Sequence, residues 1–268
     1  MPIILFFVSY IITKKLVPMF LALLHEAGSV NKNFRGEEIP VSIGIIFIPV
    51  ILMNIACLML WPFEYNQVLS FIFLIGSLGM GLAGLLDDLL GNRNVTGLKG
   101  HFKMILKGRL TTGGFKAVFG GFLAFVISVV ISNGWINVFM NTLIIALFTN
   151  FMNLLDLRPG RALKGFLLSG CVLLFIPVIQ VFRDLLFGLI GAVVAYLPYD
   201  LKARSMMGDV GSNILGISLG ITCASANFPT RVVTLIFLVA LHIYTEKYSL
   251  TQTIKENKIL NFLDEIGR

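Results

Sequence analysis

The chain is short of charge. Only 13% of its 268 residues are Asp, Glu, Lys or Arg, while 57% are hydrophobic and the mean hydropathy is +0.90. A soluble domain carries about 25% charged residues, so the composition excludes one. Cysteine is scarce as well. Cys57, Cys171 and Cys223 all lie inside apolar runs. An odd, scattered set gives neither a disulfide framework nor metal-ligand spacing, and the three read as small core residues. Alternating apolar and polar runs are missing, which excludes an outer-membrane barrel. No basic stretch precedes the first apolar run; Lys14 and Lys15 follow it, so no cleavable signal peptide is expected. There is no internal repeat and no low-complexity segment.

What the chain has is long apolar runs. At roughly 18–20 residues each they can cross a hydrocarbon core of about 30 Å as helices. The fold class expected is all-α, a polytopic membrane helical bundle. Nine spans are read: 2–22, 41–61, 68–86, 115–132, 135–153, 165–181, 184–198, 210–227 and 231–246. Residues 1–246 form the membrane domain, with its site in the loops at one face. Residues 247–268 form a tail whose Ile259, Phe262, Leu263 and Ile266 recur at i, i+3, i+4 and i+7. That spacing predicts an amphipathic helix, lying in the interface or docked on the bundle.

The cations set the orientation. Of the 21 lysines and arginines, all but Arg183 and Arg231 fall on one set of alternate links. The positive-inside bias then places the N-terminus outside and the C-terminus in the cytoplasm. The same bias accounts for the net charge of +7. Basic loops also suit anionic lipid and phosphates, so no nucleic-acid partner is expected. Lys14 and Lys15 interrupt the first span and can snorkel to the interface.

With this topology the acids of three apolar runs meet at one face: Asp87-Asp88 in GLLDDLLGNR, Asp156 in TNFMNLLDLRPGR, and Asp209 in MMGDVGSNILG. A carboxylate beside a membrane segment is costly and marks function by default. Asp87 and Asp88 diverge by about 100° on a helix, so they can serve different neighbours. Asn150, Asn153 and Asp156 follow an i, i+3, i+6 ladder at a helix end. Asp209 opens an apolar helix whose free N–H groups favour an anion. Carboxylates with phosphate nearby suit magnesium, which takes oxygen ligands and keeps several waters. Arg158, Arg161 and Lys164 follow Asp156, while Lys103 and Lys116 follow Asp88. Guanidinium and ammonium both bind phosphate. Metal, cations and positioned carboxylates together are the parts of a phosphoryl-transfer site.

The motifs DDLLG, NxxNLLD and YLPYDLKARSMMGDVGSNILG, in this order at these span ends, resemble the polyprenyl-phosphate N-acetylhexosamine-1-phosphate transferases. That superfamily includes the bacterial phospho-N-acetylmuramoyl-pentapeptide transferase. NFRGEEIPVSIG, with Arg35 and Pro40, is similar to its first cytoplasmic loop. The resemblance implies an integral-membrane enzyme of the cytoplasmic (inner) membrane of a bacterial-type cell, active on the cytoplasmic face. Such an enzyme moves a sugar phosphate from a UDP-sugar to undecaprenyl phosphate and releases UMP. The cofactor implied is magnesium, with manganese as the alternative. The partners implied are the polyprenyl phosphate, the nucleotide sugar and a second copy of the chain. By motif match Asp87, Asp88, Asp209 and Lys116 are catalytic. Asp209 and Asp156 are the metal ligands. Asn150, Asn153, Asp156, Arg158, Arg161 and Lys103 bind substrate, Lys103 competing with Lys116 for the phosphate-binding lysine.

The chain departs from the family pattern after the asparagines, where D-G-x-D-G-L becomes Asp156-Leu157-Arg158-Pro159-Gly160-Arg161. Asp200 stands where an asparagine is usual. The His-rich last cytoplasmic loop is missing, leaving His242 alone in a span. Two other classes stay open on the sequence: a catalytically inactive relative that binds lipid phosphate, and a polyprenyl-lipid flippase.

Overall fold

A computed structural model describes residues 1–61, 65–91, 104 and 108–268. Each apolar run folds as helix, because inside a bilayer a continuous helix satisfies its own backbone. In chain order these are α1 (Pro2–Glu26), a 3-10 turn (Ile43–Ile46) running into α2 (Phe47–Met59), α3 (Gln67–Leu90), α4 (Thr112–Ile131), α5 (Trp135–Leu155), α6 (Arg161–Leu174), α7 (Gln180–Leu201), α8 (Gly208–Ala224) and α9 (Phe228–Thr245). Local sequence starts several of them. The side chains of Asn66, Thr111 and Asn227 accept from the N–H groups of Leu69, Gly114 and Thr230, capping α3, α4 and α9.

Six helices, α1, α3, α4, α5, α7 and α9, are long and apolar enough to cross a membrane. The chain is therefore a multi-pass membrane protein with an all-α bundle. The other three runs, expected as spans, are shorter helices: 14 residues in α6 and 17 in α8, with α2 and its 3-10 turn covering Ile43–Met59. Helix α6 stops at Leu174, short of Pro177, whose ring disfavours helix in the residue before it.

Helix α8 is the axis of the bundle. Every residue from Val210 to Ala224 is buried, with α3 and α5 packed along it. Gly216 and Gly220, one turn apart, make this approach feasible. A Cβ on either would run into α5 backbone, at Thr149 and Ile145 respectively. Small residues at such spacing let membrane helices pack backbone to backbone. On the far side, α1 packs along α7.

The strands among the described residues are one short hairpin, β1 (Val30–Lys32) and β2 (Glu38–Pro40), paired antiparallel with Asn31 opposite Ile39. Asn33 closes its turn, its Oδ1 accepting from the N–H groups of Arg35 (2.8 Å) and Glu37 (3.0 Å). The chain then runs beside the start of α8. Met206 N donates to Pro40 O at 2.8 Å, and Gly44 N to Met207 O at 3.0 Å.

The tail forms two short helices, α10 (Leu250–Glu256) and α11 (Lys258–Glu265). Arg161 holds Asp264 through Nε and Nη2, at 2.8 and 2.9 Å. Lys164 Nζ donates to the carbonyls of Leu263 (2.8 Å) and Asp264 (2.6 Å). The tail is thus held against the bundle, while its stripe of Ile259, Phe262, Leu263 and Ile266 is exposed.

Candidate active site

The site forms where the last turn of α3, the first turns of α4 and the N-terminus of α8 converge. Asp87 and Asp88 both lie in that last turn and do diverge. Asp87 turns to α4, where Lys116 Nζ donates to its Oδ2 at 2.8 Å. The same ammonium donates to Asp209 Oδ2 at the start of α8. One cation thus joins two carboxylates from segments 93 and 29 residues away in sequence. All three side chains keep part of their surface open, 19% for Lys116 and Asp87 and 31% for Asp209.

Asp88 turns the other way, and both its oxygens accept hydrogen bonds. Its Oδ1 accepts from Asp209 N at 2.9 Å; its Oδ2 accepts from Val210 N at 3.3 Å and from Ser42 Oγ at 2.7 Å. The carboxylate caps α8 from another helix. Gly208 permits this: its φ is +76°, and a Cβ there would collide with Asp88 Oδ2. Two expectations change. Asp88 is grouped with Asp87 as catalytic by the motif, but its oxygens are taken up in holding α8. The free N–H groups of α8, expected to attract a substrate anion, already face the Asp88 carboxylate. Ser42, at a left-handed φ of 66°, pays for its strain through this contact and the backbone bonds of its neighbours.

Asn153 ties α5 to α8. Its Nδ2 donates to Asn213 Oδ1 at 2.8 Å, and its Oδ1 accepts from Ser212 Oγ. Asn213 Nδ2 in turn donates to Met80 O of α3 at 3.2 Å. Asn150 takes part in no side-chain hydrogen bond among the described residues. Asp156 sits one residue past the end of α5, so the Asn150-Asn153-Asp156 ladder ends outside the helix. Burial first, then the charges of Asp200, Asp209 and Asp88, push its carboxyl well above the usual carboxylate range. Asp200 holds the loop after it, accepting from Gly160 N at 2.6 Å and from Tyr196 OH at 3.3 Å.

The two arginines of this loop part company. Arg158 is exposed. Arg161, expected to bind substrate, is 6% exposed, and its guanidinium is taken by Asp264 and by Thr251 Oγ1 at 2.9 Å. It holds the tail. Lys103 lies outside the described residues, so Lys116 is the lysine seen against the carboxylates.

Ser42, Ser212 and Asn213 carry the site's framework without having been singled out in the sequence. A signal for two of them was present: Ser212-Asn213 is an adjacent polar pair in a buried, mostly apolar helix. Ser42 had none, because its role depends on Asp88, 46 residues away.

Among the described residues no three His, Cys, Asp or Glu side chains converge as a metal cage. Magnesium does not require one, since it uses one or two carboxylates with waters and phosphate oxygens. Asp209, Asp87 and Asp156, with Lys116 the one ammonium paired to them among the described residues, fit that donor set. Among the described residues the acids are in excess, and Asp156 sits against other acids without a cationic partner.

No curated protein matches the chain. The sequence profile of glycosyl transferase family 4 matches residues 70–227, more than half of the chain and the stretch that carries Asp87, Lys116, Asn153, Asp156 and Asp209. The chain therefore belongs to glycosyl transferase family 4, the family of the phospho-N-acetylmuramoyl-pentapeptide and N-acetylglucosamine-1-phosphate transferases.

Proposed function

We propose that the protein transfers a sugar phosphate, of the N-acetylhexosamine-1-phosphate type, from a UDP-sugar to undecaprenyl phosphate at the cytoplasmic face of the membrane. The observation that carries this reading is the Lys116 bridge between Asp87 and Asp209. It gathers an ammonium and two partly open carboxylates at the end of membrane helices, where a lipid-borne phosphate can reach them.

In the reaction an oxygen of the lipid phosphate attacks the β-phosphorus of the donor. The new P–O bond forms as the bond from that phosphorus to the bridging oxygen breaks, and UMP leaves with the electron pair. The acceptor phosphate is already ionised at neutral pH, so no strong base is required. The difficulty is bringing two anions together. Lys116 offsets their charge by exchanging a carboxylate partner for a phosphate oxygen. Asp87 orients the acceptor through the shared ammonium. Asp209 and Asp156 would hold magnesium, which supplies charge neutralisation on the phosphates when bound. The Asn153–Ser212–Asn213 bonds fix α5 against α8, so Asp156 and Asp209 keep their spacing. Positioning of this kind supplies much of the rate. Arg158, exposed two residues after Asp156, would meet the donor diphosphate.

The test is a donor screen on purified protein with undecaprenyl phosphate and magnesium, reading nucleotide release and new lipid product. Release of UMP with one UDP-sugar is expected, falling by roughly a thousandfold or more in Asp209→Asn with its melting temperature kept. Silence across UDP-, GDP-, CDP- and dTDP-sugars from folded protein would defeat the reading.

A further inference from the structure

The cations of the basic end divide by what they touch. Lys116, Arg161 and Arg268 meet carboxylates. Lys164 meets the carbonyls of the tail. Lys14, Lys202 and Arg204 meet no carboxylate among the described residues, yet they line one groove of about 300 Å³ between α1 and α7. Positive-inside topology explains cations at this end, but not their convergence on one groove.

The groove is built like the complement of an amphiphile. Helices α1 and α7 run parallel, and a Cβ at Gly191 would strike the Phe6 carbonyl. One turn further along, Tyr10 faces Val194 and Ala195; beyond these come Lys14, Pro198 and Tyr199, and then Lys202 and Arg204 past the end of α7. The lining therefore changes from apolar toward the middle of the span to cationic at its end. Lys14 lies inside α1, with its ammonium over the Tyr10 ring at 5.9 Å. A lysine within a lipid-facing span is costly unless it reaches the interface and finds an anion.

We propose that this groove binds one anionic phospholipid of the surrounding bilayer. Its phosphate lies among Lys14, Lys202 and Arg204, and an acyl chain runs along Tyr10 and Val194. Two ammoniums and a guanidinium suit a phosphodiester, and basic pockets between membrane helices are suited to anionic headgroups. The site is separate from the Lys116 cluster, which is built on α3, α4 and α8.

The test is native mass spectrometry of the full chain released from bilayer nanodiscs, comparing phosphatidylglycerol with phosphatidylcholine. Added arms use undecaprenyl phosphate and inorganic phosphate as competitors. The wild type should retain one phosphatidylglycerol. The Lys14→Gln/Lys202→Gln/Arg204→Gln protein should lose it, with apparent affinity down roughly a hundredfold, while Asp209→Asn retains it. If the triple variant does not fold, Lys202→Gln/Arg204→Gln should give the smaller loss of roughly tenfold or more. Equal retention by wild type and variants would overturn the proposal. So would equal retention of the zwitterionic lipid, displacement by inorganic phosphate alone, or binding of undecaprenyl phosphate in place of the phospholipid. The readout is lipid binding, so it is independent of any transferase activity.

Discussion

Two acid–base clusters stand at the same end of the bundle and differ in how they are closed. In one, Lys116 serves two carboxylates at once, and all three groups keep surface exposed. In the other, Arg161 and Asp264 are 6% and 9% exposed. They form a paired fork, and Arg268 and Thr251 fill out its hydrogen bonds. The sequence marks both alike, as charges beside an apolar run. A surplus of one charge with room left around it can exchange protein partners for substrate. A balanced and saturated pair cannot do so without losing the contacts that hold it. On the proposed function the first cluster is the reactive one and the second holds the tail.

Breaking the first cluster should cost turnover. Lys116→Gln removes the charge that offsets two anions, and nucleotide release should fall by roughly a hundredfold to a thousandfold. Its melting temperature should stay near wild type, since Asp87 and Asp209 keep part of their surface open to solvent. A loss of stability in place of turnover would put Lys116 in the same class as Arg161.

Breaking the second should cost stability. Arg161→Met leaves Asp264 with Arg268 alone in a mostly buried setting. A buried pair broken on one side loses about 3 kcal/mol. The tail should become sensitive to limited proteolysis, while the donor KM stays within about twofold, since Arg161 points at the tail. A large rise in donor KM with the tail still protected would return Arg161 to the substrate.

The contrast also separates what was legible in the sequence from what was not. Nine helical segments follow from apolar runs and local caps, because both are set by near neighbours. The gathering of Asp87, Asn153, Asp156 and Asp209 at helix ends around the start of α8 follows from acids and amides at the ends of apolar runs. The partners do not. Asp88 meets the N-terminus of α8 across 121 residues, and Arg161 meets Asp264 across 103. Nothing near Asp88 distinguishes an acid that caps another helix from one that works beside Asp87. Span number is hard to read for a related reason. The 17-residue α8 is apolar because protein covers it from Val210 to Ala224, and burial by helices reads in sequence like burial by lipid.

The adjacent acids offer a narrower comparison. Asp88→Asn keeps one acceptor oxygen and loses the other, weakening the cap of α8. Stability should fall by about 1 kcal/mol, with the magnesium dependence of turnover unchanged. Asp87→Asn should do the reverse, sparing stability and shifting the lysine and metal requirement. Denaturation and magnesium titrations of the two variants read this directly. A shifted magnesium midpoint in Asp88→Asn would mean that its oxygens reach the reacting groups after all.

The smallest effect is in pH. Partial burial pushes Asp264 up, but the hydrogen bond and charge of Arg161, joined by Arg268, outweigh it and hold the carboxyl below its usual range. A depressed folded-state pKa means that docking is favoured by the ionised form. Its contribution is complete above the ordinary carboxylate pKa of about 3.9 and is lost as pH falls through the lower folded value. Tail protection should therefore be level from neutral pH down to about 4 and weaken below that. Asp264→Asn should remove the acid limb and show the weaker docking at every pH. A wild-type tail that loosens between pH 7 and 5 would instead tie docking to a group with a higher pKa, and the saturated Arg161–Asp264 fork would no longer be what holds it.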